Sequence, residues 1–416
     1  MNSIQQLSQT FHGYYKIGVV NPATDEVEWK CSGSNIILNA GMDNLYNMSI
    51  ADQTDYAMCG VGTRPTNLFG GASQISQSGN QVLLYNTGGL ITDFTSSYNV
   101  YPNLVQAGDM ISCSNGQQLI VSSVNNGFNL TVTPPYTFGP QTFAVYKTSQ
   151  VGLQAESYRA GPGISNSQYF TGLNGCGTTY NGNIVELLRT YDFAPIVTTQ
   201  TFNEVGVGWA STGAATVFSR LLLPSPVTVT AGFKLRLAYT LTTTFGPNGS
   251  IFGAASIGGW PLLPSTNTNG TQSVQDLLCS YIDTNGNTQA SLAVLDPFFI
   301  NVGGNYAAIY ASTNSQSLAP FGSAYDRTST AVTGPQMSLA SYTNGSYFCD
   351  KTGTTTAGAI SSNTIYSIGF GVIAYGYVPY SSTGQAYTFI FAQPQTLTNT
   401  QTLSLTFRYT WGRILG

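Results

Sequence analysis

The feature that most constrains the fold is a nearly strict alternation of apolar and polar residues over 234–245, KLRLAYTLTTTF. A period of two places successive side chains on opposite faces of an extended chain, as in a β-strand with one buried and one solvated face. The segment therefore predicts a half-buried antiparallel strand. Its buried face would carry Leu235, Leu237, Tyr239 and Leu241.

The surrounding block, residues 183–245, reads as a run of such strands joined by short turns. Only 7% of the 416 residues are charged, against about 25% in an ordinary soluble domain, so Gly, Ser, Thr, Asn and Gln must make the surface polar. These residues are poor formers of helix interiors, whereas Val, Ile, Thr, Tyr and Phe suit a pleated sheet. Residues 40–50 are the candidate for a short helix. The sequence predicts an all-β fold: antiparallel β-sandwich domains with a small inserted β-barrel.

Changes in strand spacing and amino-acid composition along the chain predict three structural units. The first is a β-sandwich domain split between residues 1–67 and 152–245. Residues 68–151 would form an inserted, small β-barrel-like domain, because short strands follow one another closely there and Asn125-Asn126-Gly127 is typical of a hairpin turn. A stretch rich in Gly, Pro, Ser and Asn follows residue 245 and marks a boundary. Residues 246–416 would form a second β-rich domain.

The inventory of reactive side chains is short. His12 is the only histidine, so a Ser-His-Asp triad, a Cys-His pair or a zinc site with imidazole would have to use it. It lies in a polar N-terminal segment, and no cluster of Cys or carboxylates accompanies it. The sequence predicts no catalytic residue, no cofactor-binding residue, no metal ligand and no cofactor, and we expect the protein not to be an enzyme.

Paired carboxylates could still hydrolyse a glycan without a histidine. The favoured interpretation of the candidate acids is structural: an ion pair, or a hydrogen bond at a strand end, with Arg189 or Arg220. A depolymerase that uses two of them is kept as a further hypothesis. The acidic residues with a partly apolar setting are Glu186, Asp192, Glu204, Asp283 and Asp296.

Charge and hydropathy restrict the partners and the compartment. A net charge of −4 without a basic cluster argues against nucleic acid as a partner. The first residues do not resemble a secretory signal, and no run approaches the ~18 apolar residues of a membrane helix. We therefore expect assembly in a cytoplasm without membrane contact. No C-x-x-C pair occurs. Reduced, mostly buried thiols are expected for Cys31, Cys59, Cys113, Cys176, Cys279 and Cys349, with disulfides as the open alternative.

Aromatic residues are plentiful, with 26 Tyr, 21 Phe and 4 Trp. Core packing accounts for most of the Phe, but so many Tyr are hard to place wholly inside. A charge-poor surface rich in Tyr is typical of protein interfaces, whose cores are enriched in aromatics and depleted in charges. The same composition also suits stacking against carbohydrate, and both alternatives stay open.

Three segments carry a resemblance to a known class of protein. The first, within residues 13–67, contains GYYKIGVVNPATDEVEWKCSGSNIILNAGMDNL followed by MCGVGTRPTN. The second, within 187–245, contains RTYDF, FNEVGVGW and VFSRLLLPSPVTVTAGFKLRLAYTLTTTF. The third, within 386–413, is AYTFIFAQPQTLTNTQTLSLTFRYTWGR, which looks like a closing pair of strands. These segments resemble structural proteins of tailed bacteriophages, in particular proteins of the tail, fibre and collar. The resemblance transfers no functional residue.

The resemblance implies a non-enzymatic structural component of a tailed-phage virion, in the tail, baseplate, collar or fibre attachment. Such a component would assemble through its β-sheet domains and polar loops, with other virion proteins and copies of itself as partners. The alternative is a receptor-binding adhesin that recognises a bacterial surface glycan. The expected location is the virion, assembled in the host cytoplasm.

Overall fold

The computed structural model of the protein describes residues 3–48, 50–95, 104–161, 178–181, 184–245, 256–257, 260–261, 280–282, 288–290, 306–312, 330–331, 338–339, 341–354, 364–373, 385–396 and 404–415.

Nearly all regular structure in these residues is β. Two short helices, α1 (Asn39–Asn44) and α2 (Ile50–Gln53), follow the third strand. The strands up to residue 146 are β1 (Ser3–Val20), β2 (Val27–Ser34), β3 (Ile36–Ile37), β4 (Tyr56–Gly60), β5 (Asn67–Asn86), β6 (Met110–Cys113), β7 (Gln118–Asn126) and β8 (Asn129–Tyr146). Those up to residue 245 are β9 (Glu156–Ala160), β10 (Thr178–Asn181), β11 (Ile184–Asp192), β12 (Gln200–Gly208), β13 (Val217–Val229) and β14 (Lys234–Phe245). The all-β prediction is confirmed.

The remaining strands lie beyond residue 245. They are β15 (Ser256–Ile257), β16 (Trp260–Pro261), β17 (Ser280–Ile282), β18 (Thr288–Ala290), β19 (Tyr306–Ser312), β20 (Thr330–Ala331), β21 (Ser338–Leu339), β22 (Phe348–Thr354), β23 (Thr364–Ile373), β24 (Gln385–Thr396) and β25 (Ser404–Arg413). β17 and β18 pair antiparallel with each other.

Two sheets form a sandwich. The first sheet has the strand order β10-β11-β14-β1-β25-β22-β21, and β2 pairs with β1 beside that path. β1 is long enough to pair with two strands along the same edge. Its residues 3–11 pair in parallel with β25, and its residues 14–20 pair antiparallel with β2. The second sheet has the order β3-β13-β12-β4-β9 and is antiparallel.

The core lies between β1 and β14 of the first sheet and β13 of the second. Tyr15, Tyr191 and Tyr239 are fully buried, and the rings of Tyr15 and Tyr239 have centroids 4.8 Å apart. The hydroxyl of Tyr15 lies 2.8 Å from Ser219 Oγ and donates to the Ser219 carbonyl at 3.1 Å, which ties the two sheets together. The alternation predicted for β14 is confirmed, since its four inward side chains are at most 1% exposed.

A third sheet is inserted between β4 and β9 and is called here the inserted sheet. It has the order β5-β8-β6-β7, with a further pairing of β7 to β8 that curls it into half a barrel. Its concave side encloses a hydrophobic cluster of its own, which includes Ile75, Val82, Phe94, Ile111 and Val132. A second cluster joins this sheet to the sandwich and contains Ile36, Leu38, Met58, Met110, Ala144, Tyr146 and Val217.

The predicted short helix is present as α1, which packs on β13. The Leu38 N–H donates to the Phe218 carbonyl at 2.9 Å just before the helix begins. A Cβ on Gly41 would lie 2.6 Å from the Phe218 carbonyl oxygen and 2.9 Å from its Cα. Only glycine therefore lets the helix approach the strand this closely.

The closing strands depart from expectation in one respect. The last segment resembles a closing pair of strands, but β24 pairs with β23, whereas β25 pairs with β1 and β22. The first sheet thus contains strands from both ends of the chain. The division into domains at 1–67 plus 152–245, 68–151 and 246–416 stays a prediction.

Candidate functional site

The most heavily bonded polar group of the sandwich is an ion pair between Glu204 on β12 and Arg220 on β13. Both side chains are fully buried. Arg220 Nη2 donates to Glu204 Oε2 at 2.6 Å, and its Nε donates to the same oxygen at 2.9 Å. The structural interpretation of Glu204 as the partner of an arginine is confirmed.

The Glu204 carboxylate also accepts three backbone hydrogen bonds. The donors are the N–H groups of Gly62 at 3.1 Å, Gln154 at 3.0 Å and Ala155 at 2.7 Å. A Cβ on Gly62 would lie 2.2 Å from Glu204 Oε1, so only glycine fits at this contact. Gly62 belongs to residues 61–66, which connect β4 to β5, and we call them the incoming link.

Arg220 completes the arrangement from the other side. It donates to Gln150 Oε1 at 2.6 Å and to the Arg64 carbonyl at 2.7 Å. Gln150, Gln154 and Ala155 belong to residues 147–155, which connect β8 to β9 and are called the outgoing link. One buried ion pair therefore holds both links of the inserted sheet against the second sheet.

This geometry decides what Glu204 can do chemically. Burying a charge is costly unless it is paired and hydrogen-bonded, and here each carboxylate oxygen accepts two or more hydrogen bonds. A carboxylate so occupied has no approach for a substrate and does not serve as an acid or a base. Its role is to fix the position of the two links.

A second buried ion pair, Asp109 with Lys147, lies at the base of the inserted sheet. Lys147 Nζ also donates to the Leu104 carbonyl at 3.1 Å. Asp109 accepts from the Gln106 N–H at 2.8 Å and from Ser149 Oγ at 2.5 Å. Burial raises the pKa of Asp109, and the Lys147 ammonium opposes that rise. This pair was not anticipated from the sequence, although its acid is one of two charged residues between Asn67 and Tyr146, the range called here the inserted segment.

A third polar cluster fixes the C-terminal strand. Arg413 is buried, hydrogen-bonds the Ile37 carbonyl and Asn39 Oδ1, and donates to the Tyr347 hydroxyl at 3.0 Å. Two residues earlier, Trp411 Nε1 donates to the Met42 carbonyl at 2.8 Å. These bonds bring the end of the chain onto β3 and α1.

The other candidate acids do not converge on a cleft in the described residues. Asp192 pairs with Arg236 at 2.5 Å, not with Arg189 or Arg220 as expected, because Arg236 is its register partner on β14. Arg189 instead pairs with Asp55 at 3.0 Å. Glu186 lies on β11, and Asp283 and Asp296 lie outside the described residues.

His12 lies in β1, in register with Thr242 of β14, and burial lowers the pKa of its imidazole. Glu186 of β11 is also in register with Thr242, because β14 lies between β1 and β11 in the first sheet. Within the described part of the chain, no group of three His, Cys, Asp or Glu side chains is arranged to hold a metal ion. The helices described there are all too short to cross a membrane.

The described cysteines fit the expectation of buried thiols in part. Cys59, Cys113 and Cys349 are buried, whereas Cys31 is half-buried. Burial raises the pKa of Cys113 to about 11, so its thiol stays protonated at neutral pH. Cys176 and Cys279 lie outside the described residues.

Comparison of the chain with protein-family models, with curated proteins and with solved structures finds no match.

Proposed function

We propose that this protein is a non-enzymatic structural component of a tailed-phage virion, placed in the tail, baseplate, collar or fibre attachment. The observation that carries the proposal is spatial. Parts of all three segments that resemble phage virion proteins, far apart in the sequence, meet in one continuous framework.

The contacts within this framework can be followed from segment to segment. The first segment supplies Tyr15 and Leu38, which bond to Ser219 and Phe218 of the second. The third segment supplies Trp411 and Arg413, which bond to the region from Ile37 to Met42 of the first. The resembling segments therefore share a structural role, because they build the sandwich and dock the end of the chain onto it.

The placement of the buried charged side chains supports a structural role for the protein. In the sandwich and at its junction with the inserted sheet, the buried ion pairs Glu204–Arg220 and Asp109–Lys147 also hydrogen-bond backbone groups from other parts of the chain. An active site would instead hold ionisable groups at the surface of a cleft with perturbed pKa values. Of the candidate acids whose side chains the structure describes, Asp192 pairs with Arg236 in the first sheet and Glu204 pairs with Arg220 in the second.

The outer face of the first sheet offers a surface for neighbouring subunits. Tyr14 and Leu188 lie on one cross-strand row through Thr240, and they are 40% and 38% exposed. Trp29 is 40% exposed and lies under Lys16, whose Nζ is 4.4 Å from the ring centroid. Exposed aromatics among few charges are typical of interface cores, which fits assembly with virion proteins and further copies of this chain.

Electron cryo-microscopy of the intact particle tests this proposal. We expect several copies around the neck or tail axis, with the outer face of the first sheet covered by neighbours. Labelling particles with gold-tagged antibody against the purified protein gives an independent location. Particles that lack the protein, or a chain found only in infected cells and not in particles, would refute the proposal.

A further inference from the structure

The inserted sheet has a surface chemistry of its own. Between Asn67 and Tyr146 the only charged residues are Asp93 and Asp109, and none of the 13 Lys and Arg falls there. Asp109 is buried with Lys147 at the base. The convex side of the sheet is therefore polar through amides and hydroxyls, not through charge.

On that side, neutral side chains of three neighbouring strands form a connected lattice centred on Asn125. Its Nδ2 lies 3.2 Å from Gln81 Oε1, 3.2 Å from Asn129 Oδ1 and 3.0 Å from Thr131 Oγ1, three acceptors that share its two hydrogens. Gln81 Nε2 in turn donates to Thr131 Oγ1 at 3.2 Å. A primary amide has two donor hydrogens and an acceptor oxygen with two lone pairs. Asn125 uses all of its own within the lattice, since its Oδ1 also accepts from Ser123 Oγ and Thr131 Oγ1, whereas Gln81 keeps one N–H and one lone pair for another molecule.

Large apolar side chains border this lattice at the end of the sheet. β5 alternates there, with Val82 and Leu84 buried and Leu83 and Tyr85 exposed by 49% and 68%. Phe128, in the turn between β7 and β8, is 54% exposed, and its carbonyl accepts from the Leu84 N–H at 2.9 Å. Leu83 is the register partner of Asn129. The apolar group thus adjoins the amide lattice directly.

We propose that this face, formed by Gln81, Asn125, Asn129 and Thr131 with Tyr85 and Phe128, binds a neutral carbohydrate. A sugar ring presents hydroxyls at its edge and C–H groups on its faces. The amides and hydroxyls of the protein can hydrogen-bond the sugar hydroxyls, and the exposed aromatic rings can pack against the C–H faces of the sugar. Because the amides already hold one another in place, binding immobilises few additional side chains.

The charge of the face restricts the ligand to a neutral one. Recognition of phosphate, sulfate or carboxylate groups relies on Arg or Lys, and the whole inserted segment has neither. An anionic glycan would also meet Asp93 beside the turn, whose Oδ1 lies 2.8 Å from the position of a Cβ on Gly127. Uncharged hexose or N-acetylhexosamine polymers are the ligand class that remains.

The test is a glycan array that displays neutral oligosaccharides of glucose, galactose and N-acetylglucosamine beside uronic-acid and sialylated ones. The strongest neutral oligosaccharide is then titrated into the full-length protein by calorimetry. We expect binding to neutral members only, with affinity reduced about tenfold or more by Tyr85→Ala, the loss of one aromatic contact, and by Asn125→Ala.

Two controls separate the face from the rest of the molecule. Val197→Ala removes an apolar side chain that is 82% exposed on the sandwich, and Asn115→Ala removes an exposed amide at the opposite end of β7; both should bind as the unaltered protein does. The proposal is overturned if no neutral probe binds or if only anionic glycans bind. It is also overturned if the Tyr85→Ala and Asn125→Ala variants bind the neutral oligosaccharide as tightly as the unaltered protein does. A loss of self-association in the Tyr85→Ala variant without any glycan binding overturns it too, because the face would then contact a second copy. The location in the particle is measured independently, so either proposal can fail alone.

Discussion

The sandwich and the inserted sheet use polar residues in opposite ways. In the sandwich and its junctions, charged side chains are buried in pairs, and each pair accepts or donates bonds from distant segments. On the inserted sheet the polar side chains are neutral, exposed and bonded to close neighbours. Buried charge makes the position of segments specific, since a misplaced partner leaves a charge uncompensated. An exposed neutral lattice stabilises little and stays available for contacts with another molecule.

The largest effect is expected from breaking the tie between the two regions. Arg220→Met leaves the Glu204 carboxylate buried without its cation, which should lower the free energy of unfolding by about 3–5 kcal/mol. Urea unfolding followed by circular dichroism measures this. The incoming and outgoing links should also become sensitive to protease.

The matched control for this variant is Arg236→Met, which breaks the more exposed pair with Asp192 and should change stability by about 1 kcal/mol or less. The double variant Glu204→Gln/Arg220→Met should recover part of the loss, because no unpaired charge remains. Equal losses in the Arg220 and Arg236 variants would contradict the role assigned to the buried pair.

A smaller effect is expected from the two acids of the inserted segment, which differ in burial. Asp109→Asn leaves the buried Lys147 ammonium without its counter-charge and should cost about 3 kcal/mol, at the lower end for a broken buried pair because the amide keeps an acceptor oxygen. Asp93→Asn alters a half-exposed side chain and should cost about 1 kcal/mol or less. Hydrogen exchange should show the loss in the Asp109 variant first in β6 and β8. Faster exchange in the sandwich alone would show that this pair does not anchor the inserted sheet.

The buried tyrosines of the sandwich core predict that the free energy of unfolding depends on pH in the alkaline range. Burial raises the pKa of Tyr191 to about 12, above its usual value of about 10. Above pH ~10 the unfolded chain therefore loses a proton that the folded chain retains, and stability falls as pH rises from about 10 towards 12. Burial raises the pKa values of Tyr15 and Tyr239 in the same direction.

Urea unfolding between pH 8 and pH 11 checks this point. Tyr191→Phe loses the hydrogen bond to the Thr54 carbonyl and should be about 1 kcal/mol less stable at neutral pH. Its stability should decline less steeply above pH ~10 than that of the unaltered protein. Parallel curves for the two proteins would mean that Tyr191 does not contribute to the alkaline loss.

The smallest effect is expected on the convex side of the inserted sheet. Tyr85→Ala removes a side chain that is 68% exposed and should change the free energy of unfolding by about 0.5 kcal/mol or less. Thermal unfolding is sufficient to measure it. A loss of several kcal/mol would show that this surface is needed for folding and would remove the contrast between the two regions.

The parts of the fold that could be predicted are those determined by local pattern. The alternation in β14, the helix at α1 and the hairpin turn at Asn125-Asn126-Gly127 are properties of adjacent residues. The ion pair of Glu204 with Arg220 could also be predicted, because the two residues lie on consecutive strands that pair with each other.

The parts that could not be predicted depend on distant pairing. Residues 70–79 of β5, GGASQISQSG, have the composition of a loop and become part of a strand through the ladder with β8. The bond from Arg413 to the Ile37 carbonyl joins residues 376 positions apart, and the parallel pairing of β1 with β25 is of similarly long range. The periodicity of the sequence is a local property and does not indicate contacts between residues so far apart. The same holds for Asp109 and Lys147, which meet only because β6 and β8 are neighbours.

The incoming and outgoing links have a consequence for how the chain could change over time. Asn67 and Tyr146 are register partners, and the Lys147 N–H donates to the Thr66 carbonyl at 2.9 Å, so the inserted sheet departs from the sandwich and returns to it at one point. A segment joined in this way behaves as a cassette. Recombination, or a protein engineer, could exchange everything between residues 67 and 146 for another module, provided that the replacement supplies a partner for Lys147 and leaves the two links in place.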